Sequence, residues 1–173
     1  MNQIIINRAG IDDAIVLQDL AELTFRETYA NLNTPENLRQ YIEDNFTADK
    51  LKKELNNPES YFFIAFEGSV AIGYIKLNTG GSQTEKQAQN YIELERIYVR
   101  HSHQGKKIGQ LLYKKAMEVA QLQDKEFIWL GVWEKNLKAI RFYEKNGFVP
   151  FDKHIFKLGN DEQTDIMMRK KTR

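Results

Sequence analysis

Leu94-Glu95-Arg96-Ile97-Tyr98-Val99 runs through Arg100-His101-Ser102-His103 into Gln104-Gly105-Lys106-Lys107-Ile108-Gly109, and the reading of this stretch decides the fold. The first half belongs to a strand expected over Tyr91–Val99. The second half opens a helix expected over Gly105–Gln123, because Ile108, Leu111, Leu112, Ala116 and Val119 fall on one helical face. From Ile97 to Met117 there is no acidic residue, yet Arg100, Lys106, Lys107, Lys114 and Lys115 are present. Cations in a first helical turn oppose the macrodipole by about 0.3–1 kcal/mol each. Unpaired backbone N–H groups at a helix start attract anions. The junction therefore suits a phosphate that compensates both lysines, with a solvated basic helix end as the plainer alternative.

Working outward, Phe127–Trp133 reads as a second strand and Lys138–Asn146 as the helix after it, with Asn136 suited to cap it and Gly147 placed for a left-handed stop. Upstream, Ile4–Asn7 reads as a first strand and residues 12–24 as a helix with Leu17, Leu20, Ala21 and Thr24 at helical spacing. Thr34-Pro35 starts another helix, and Thr47 caps a third over residues 48–56. Tyr61–Phe66 and Val70–Leu77 form a hairpin with Glu67-Gly68 as its turn. Residues 78–90 carry no apolar periodicity and read as one mobile loop. Phe148–Lys157 and Thr164–Arg169 close the chain as strands around Gly159-Asn160-Asp161-Glu162. The order is that of an α/β fold with a mixed sheet.

The chain has 173 residues, which favours a single domain over 1–173. Hydrophobic residues make up 42% and charged residues 28%, an ordinary balance for a soluble protein. The formal charge of +1 gives no global pull toward nucleic acid or anionic membrane. There is no cysteine, which excludes disulfides, thiolate zinc sites and a cysteine nucleophile. Met1–Arg8 lacks a signal-peptide layout. The longest apolar run, near Tyr61–Phe66, falls far short of the roughly 20 residues of a membrane span. A cytoplasmic location without membrane contact is the expectation.

Read with Trp129-Leu130-Gly131-Val132-Trp133-Glu134-Lys135-Asn136 and Arg141-Phe142-Tyr143-Glu144-Lys145-Asn146-Gly147-Phe148, the opening stretch resembles the GNAT superfamily of N-acetyltransferases. These enzymes move an acetyl group from acetyl-CoA to an amine. The resemblance implies a GNAT fold, with a central mixed, mostly antiparallel β-sheet flanked by α-helices. It also implies acetyl-CoA as cofactor, with coenzyme A as product. The family's pyrophosphate pattern is Gln/Arg-x-x-Gly-x-Gly/Ala. The chain matches it at Gln104 and Gly109 and departs at Lys107, where the family usually has glycine. Lysine there must hold an ordinary helical φ or carry strain, with Gly105 supplying freedom one step earlier. The cofactor-binding residues implied are Ile97, Tyr98, Val99, Gln104, Gly105, Lys106, Lys107, Ile108, Gly109, Gln110, Asn136 and Tyr143. The Ile97 and Val99 backbone would take pantetheine like an added strand, and one amide there would polarise the thioester carbonyl.

By period two, Tyr91, Glu93, Glu95, Ile97 and Val99 share one strand face, and Ile92, Leu94, Arg96 and Tyr98 the other. Carboxylates on a half-buried strand are costly unless paired or used. Either they form salt bridges, with Arg96 or a neighbouring lysine, or they hold and deprotonate a cationic amine. An amine of pKa near 10.4 lies about 3.4 units from its neutral form at pH 7, or roughly 4.6 kcal/mol. The resemblance implies a glutamate on this strand as base acting through water, here Glu95, with Glu93 or the loop as alternatives. Tyr143 matches the family's general acid, which protonates the leaving thiolate.

Thr34-Pro35-Glu36-Asn37-Leu38 and Asp161-Glu162-Gln163-Thr164-Asp165, with the stretches above, look like the bacterial PaiA-type spermidine/spermine N-acetyltransferases. A polyamine acceptor asks for an acidic groove, with Glu27, Glu36, Glu43, Asp44, Glu93 and Glu95 as its lining and Phe25 and Tyr29 stacking on methylenes. The alternative acceptor is a protein N-terminus or lysine side chain; a further alternative is an acetyl-CoA-binding regulator. No basic recognition helix is present, so no nucleic-acid partner is expected. His101 and His103 lack a third ligand, and no metal is expected. Monomer and homodimer both remain open.

Overall fold

The computed structural model describes residues 3–173, the side chain of Phe156 excepted. Met1 and Asn2, where the N-terminal reading began, lie outside the described residues. The chain runs β1 (Ile4–Arg8), α1 (Ala14–Tyr29), α2 (Pro35–Asn45), α3 (Ala48–Leu55), β2 (Ser60–Glu67), β3 (Val70–Asn78), β4 (Tyr91–Val99), α4 (Ile108–Leu122), β5 (Phe127–Trp133), α5 (Leu137–Lys145), β6 (Val149–Leu158) and β7 (Asp161–Lys171). The strands form one sheet in the order β1-β2-β3-β4-β5-β7-β6. Only the central pair β4–β5 is parallel, so the sheet is mixed and mostly antiparallel.

The early helices are capped as their sequence demands. Thr34 accepts from the Asn37 amide and Thr47 from the Lys50 amide. α1 continues past residue 24 because its apolar stripe continues through the buried Phe25, with no breaker before Ala30. The first hairpin turns at Gly68-Ser69 instead of Glu67-Gly68. Glu67 still pairs with Val70, and Gly68 takes the positive φ of 62°.

One core lies on the α4/α5 side of the sheet, around Ile75, Leu77, Ile92, Leu94, Leu112, Ala116 and Leu130. A second lies on the opposite side, where α1, α2 and α3 bring Leu17, Phe25, Leu38, Ile42 and Leu51 against Phe62, Ile64 and Tyr74. The alternation expected along β4 fails midway. Leu94 faces Leu77 and Arg96 faces Lys76, leaving Glu95 as an extra residue in a β-bulge. Beyond it the faces exchange. Ile97 and Val99 join Ile92 and Leu94 against the α4/α5 core, while Arg96 and Tyr98 turn to the helix α1–α3 side. Strict period two, which grouped Glu95 with Ile97, could not register the inserted residue.

The segment between β3 and β4 is pinned rather than loose. Ser82 bonds Glu59 through its amide and hydroxyl, Gln83 accepts from the Trp129 indole at 2.8 Å, and Thr84 donates its amide and hydroxyl to Glu93. Polar anchors do here what apolar periodicity does elsewhere. No helix among the described residues is long and apolar enough to cross a membrane.

Candidate active site

β4 and β5 pair at three positions only, Tyr91 with Phe127, Ile92 with Ile128 and Glu93 with Trp129. Beyond these, β4 stays with β3 as far as Val99 and β5 stays with β7 as far as Trp133. The two inner edges therefore diverge into a wedge, and Ile97 and Val99 lie along it. Backbone groups on such edges are ready to pair with an extended ligand. At the wide end a tight turn leads into α4, which starts at Ile108, three residues later than the periodicity suggested. The reason is local. Gly105 has φ 78° and Lys107 has φ 64°, so neither is helical. Lys106 and Lys107 thus precede the helix, whose first N–H groups, at Ile108, Gly109 and Gln110, have no carbonyl partner within it. Lys107 carries the strain that glycine would avoid.

A cavity of about 1140 Å³ joins this turn to α1 and α2. Its turn side is lined by Ile97, Tyr98, Val99, Gln104, Gly105, Lys107, Ile108, Gly109, Gln110, Asn136 and Tyr143. Lys106 is not in its wall. Asn136 caps α5 by accepting from the Ala139 amide at 3.2 Å. That places Tyr143 two turns on, buried against Phe142 and Phe148. Burial pushes the Tyr143 phenol well above its ordinary range, so it stays protonated.

The opposite wall contains Phe25, Tyr29, Glu36, Asp44, Glu93 and Glu95. Glu27 and Glu43 do not line it. Glu27 instead accepts from the His101 amide at 2.7 Å, tying α1 to the turn. Phe25 stacks on Tyr41 at 4.5 Å and tilts against Tyr29 at 4.6 Å. The bulged Glu95 meets Lys76 at 2.6 Å, Arg96 at 3.1 Å and the Asn78 amide at 2.6 Å. Glu54 holds the same two cations at 3.0 and 3.2 Å. Burial alone would raise the Glu95 carboxyl, but Arg96, Lys76 and Asn78 outweigh it and bring it down to about 2. Glu93 goes the other way, raised by burial and by the Glu95 charge, against the opposing bonds from Thr84 and Asn78.

Residues 17–148 match the Acetyltransferase (GNAT) family. The chain belongs to that family. An uncharacterized N-acetyltransferase of Lactobacillus delbrueckii subsp. lactis is 40% identical over 148 residues, 85% of each chain. The spermidine N(1)-acetyltransferase of Thermoplasma acidophilum is 28% identical over 170 residues, 96% of each. The crystal structure of PaiA N-acetyltransferase from Thermoplasma acidophilum in complex with coenzyme A superposes with a TM-score of 0.81 at 28% identity, covering 98% of this chain and 99% of that one. This GNAT protein is an acetyl-CoA-dependent N-acetyltransferase. Its own residues fit that substrate, since the wedge offers unpaired strand edges and the basic turn offers amides to a pyrophosphate.

Among the residues of the GNAT cavity that escaped the sequence reading are Thr84, Trp133, His154 and Asp165. Asp165 sat within a stretch quoted for its likeness, without a role. Alternation along β7 places it on one face with Gln163 and Met167, a signal that was present and unused. His154 gave none, being a lone histidine on an edge strand.

Proposed function

We propose that this GNAT enzyme acetylates a polyamine of the spermidine or spermine kind. The observation that carries the reading is the charge balance of the acceptor wall. Glu54 and Glu95 are matched by Lys76 and Arg96 in one buried network. Glu93, by contrast, is 2% exposed and has no basic side chain in ion-pair contact among the described residues. Asp165, Asp44 and Glu36 add negative charge, while Lys157 pairs with Glu162 and Arg39 stands on α2. Between these carboxylates stand Tyr29 and Trp133, rings on which methylenes and ammonium groups both rest well, while Phe25, buried and stacked on Tyr41, supports them from behind. A chain of alternating charges and methylenes is the ligand that such a wall suits. Two relatives named as spermidine or spermine/spermidine N(1)-acetyltransferases support it.

In this reading acetyl-CoA lies in the wedge, with its pyrophosphate on the turn from Gln104 to Gln110. The acceptor's reacting ammonium gives one proton to Glu93, whose raised proton affinity suits it better than Glu95. Glu95 serves as the counter-charge of Lys76 and Arg96. The free amine attacks the thioester carbon, whose oxygen is polarised by an amide of the Ile97–Val99 segment. As the C–S bond breaks, Tyr143 donates its proton to sulfur and takes back the second amine proton.

The test is CoA release from acetyl-CoA with spermidine, spermine, putrescine, lysine, n-butylamine and short peptides. Saturable turnover on spermidine or spermine above the rest is expected. Turnover on peptides alone would move the enzyme to protein N-termini or lysines.

A further inference from the structure

Asp165 stands on β7 opposite Trp133 of β5 and His154 of β6. Its Oδ2 lies 3.5 Å from His154 Nε2. Its Oδ1 is buried and has no hydrogen-bond partner among the described residues. Glycine at residue 131 leaves the pair room to lie over β5. A Cβ there would lie 3.0 Å from His154 Cε1 and 3.3 Å from Asp165 Oδ2. Both side chains line the cavity on its acceptor side. His154 Nδ1 is likewise buried without a hydrogen bond, 3.8 Å from Glu85 Oε1. A buried carboxylate oxygen with no donor is costly, and such atoms in folded proteins call for a partner.

Resting on the polyamine reading, we propose that Asp165 binds the non-reacting ammonium of the acceptor, and that protonated His154 competes with this ammonium for the same carboxylate. The reacting nitrogen has to meet a thioester lying between β4 and β5. Asp165 is on the strand beyond β5, at least one and a half strand spacings from the middle of the wedge, or roughly 7 Å, of which the ammonium–carboxylate contact itself covers about 3 Å. A propyl or butyl spacer spans that kind of distance, so one amine can react while its neighbour rests on Asp165 Oδ1. A monoamine has no second charge to place there.

The competition follows from the surroundings of His154. Asp165 on β7, Glu85 on the loop before β4, and Glu93 on β4 all face it, and β5 presents the uncharged Gly131. The carboxylate of Asp165, as acceptor for the His154 N–H, leads in raising the imidazole above its ordinary value, against the effect of burial. Below that raised value the imidazolium is Asp165's own cation, and an incoming ammonium must displace it. Above it the imidazole is neutral and Asp165 is open. The polyamine stays charged throughout, with amine pKa values near 10.4. Acceptor affinity therefore rises with pH as His154 loses its proton, separately from any effect on kcat through Glu93.

The experiment compares wild type, Asp165→Asn and His154→Gln with spermidine and with n-butylamine, across a pH series spanning the histidine range. Spermidine binding to each is also followed by calorimetry in the presence of CoA, so that a variant with slow chemistry still reports. In Asp165→Asn, kcat/KM for spermidine relative to n-butylamine falls about ten- to a hundredfold, as expected for loss of a charged hydrogen bond. In His154→Gln, the rise in spermidine KM toward acid pH disappears while Asp165 still binds. An unchanged selectivity ratio in Asp165→Asn, or a pH-dependent KM that survives in His154→Gln, overturns the inference. Wild-type protein that acetylates peptides but no polyamine overturns the acceptor reading and this inference with it. Polyamine turnover with unaltered variants overturns this inference alone.

Discussion

Tyr143 has a buried, protonated phenol with no hydrogen bond to another described residue, on a helix whose start Asn136 fixes. Its proton is therefore available to a leaving thiolate. Tyr143→Phe should lower kcat roughly ten- to several-hundred-fold with KM for acetyl-CoA little changed, the span of proton-transfer catalysis. An unchanged kcat where chemistry limits turnover would remove the tyrosine from the mechanism. Lys107 raises the opposite question, a residue in a place that suits another. Left-handed φ costs a side-chain-bearing residue about 1–2 kcal/mol, and glycine loses roughly 0.5–1 kcal/mol of that gain through its looser unfolded chain. Lys107→Gly should therefore raise thermal stability slightly, while acetyl-CoA affinity stays within about tenfold, the worth of one charge near phosphate. Complete loss of binding by calorimetry would mean that Lys107 is itself an indispensable phosphate ligand. Asn136 could be read from sequence as a helix cap because a cap is local, whereas Tyr143 stood out only through the family resemblance. The Asp165–His154 pair could not, since it depends on two strands coming together over a glycine in a third.

Among the elements, β4 and β5 were legible end to end from apolar and β-branched runs, and α2 and α3 from their threonine caps. What stayed hidden was any feature that departs from regular repetition. The bulge at Glu95 leaves no mark in composition, yet it reverses which face every later residue of β4 occupies. It gathers Glu95, Arg96 and Glu93 on the acceptor side and sends Ile97 and Val99 into the other core. The late start of α4 is a similar case, because an apolar stripe can be projected backward through residues whose φ is not helical. The segment before β4 read as loose because its anchors are hydrogen bonds to Glu59, Glu93 and Trp129, distant in sequence or on other strands.

Over the whole molecule, the network of Glu54, Lys76, Glu95 and Arg96 links α3 to β3 and β4 beneath the acceptor wall. The Glu95 carboxyl lies at about 2 in the fold against a reference of 4.5. Its contribution to stability is thus complete above pH 4.5 and is lost as pH falls toward 2. Glu93, raised instead, pulls the other way at higher pH. Urea unfolding along a pH series should show stability dropping across the Glu95 window, with a shallower drop in Glu95→Gln. That variant should also be weaker at neutral pH, by up to about 3–5 kcal/mol, because Lys76 and Arg96 are then left to share the single carboxylate of Glu54. A wild-type curve flat across the window would show that the pairing contributes no net stability.

The wedge between β4 and β5 divides the chamber between two arms of the sheet. Glu93 and Glu95 ride on one arm, and Trp133, His154 and Asp165 on the other, joined at three residue pairs. Whatever fills the wedge sets the gap across which the acceptor must reach. The two substrates then share one cavity across that gap, and reciprocity requires that any factor by which acetyl-CoA alters the affinity for the amine equal the factor by which the amine alters the affinity for acetyl-CoA.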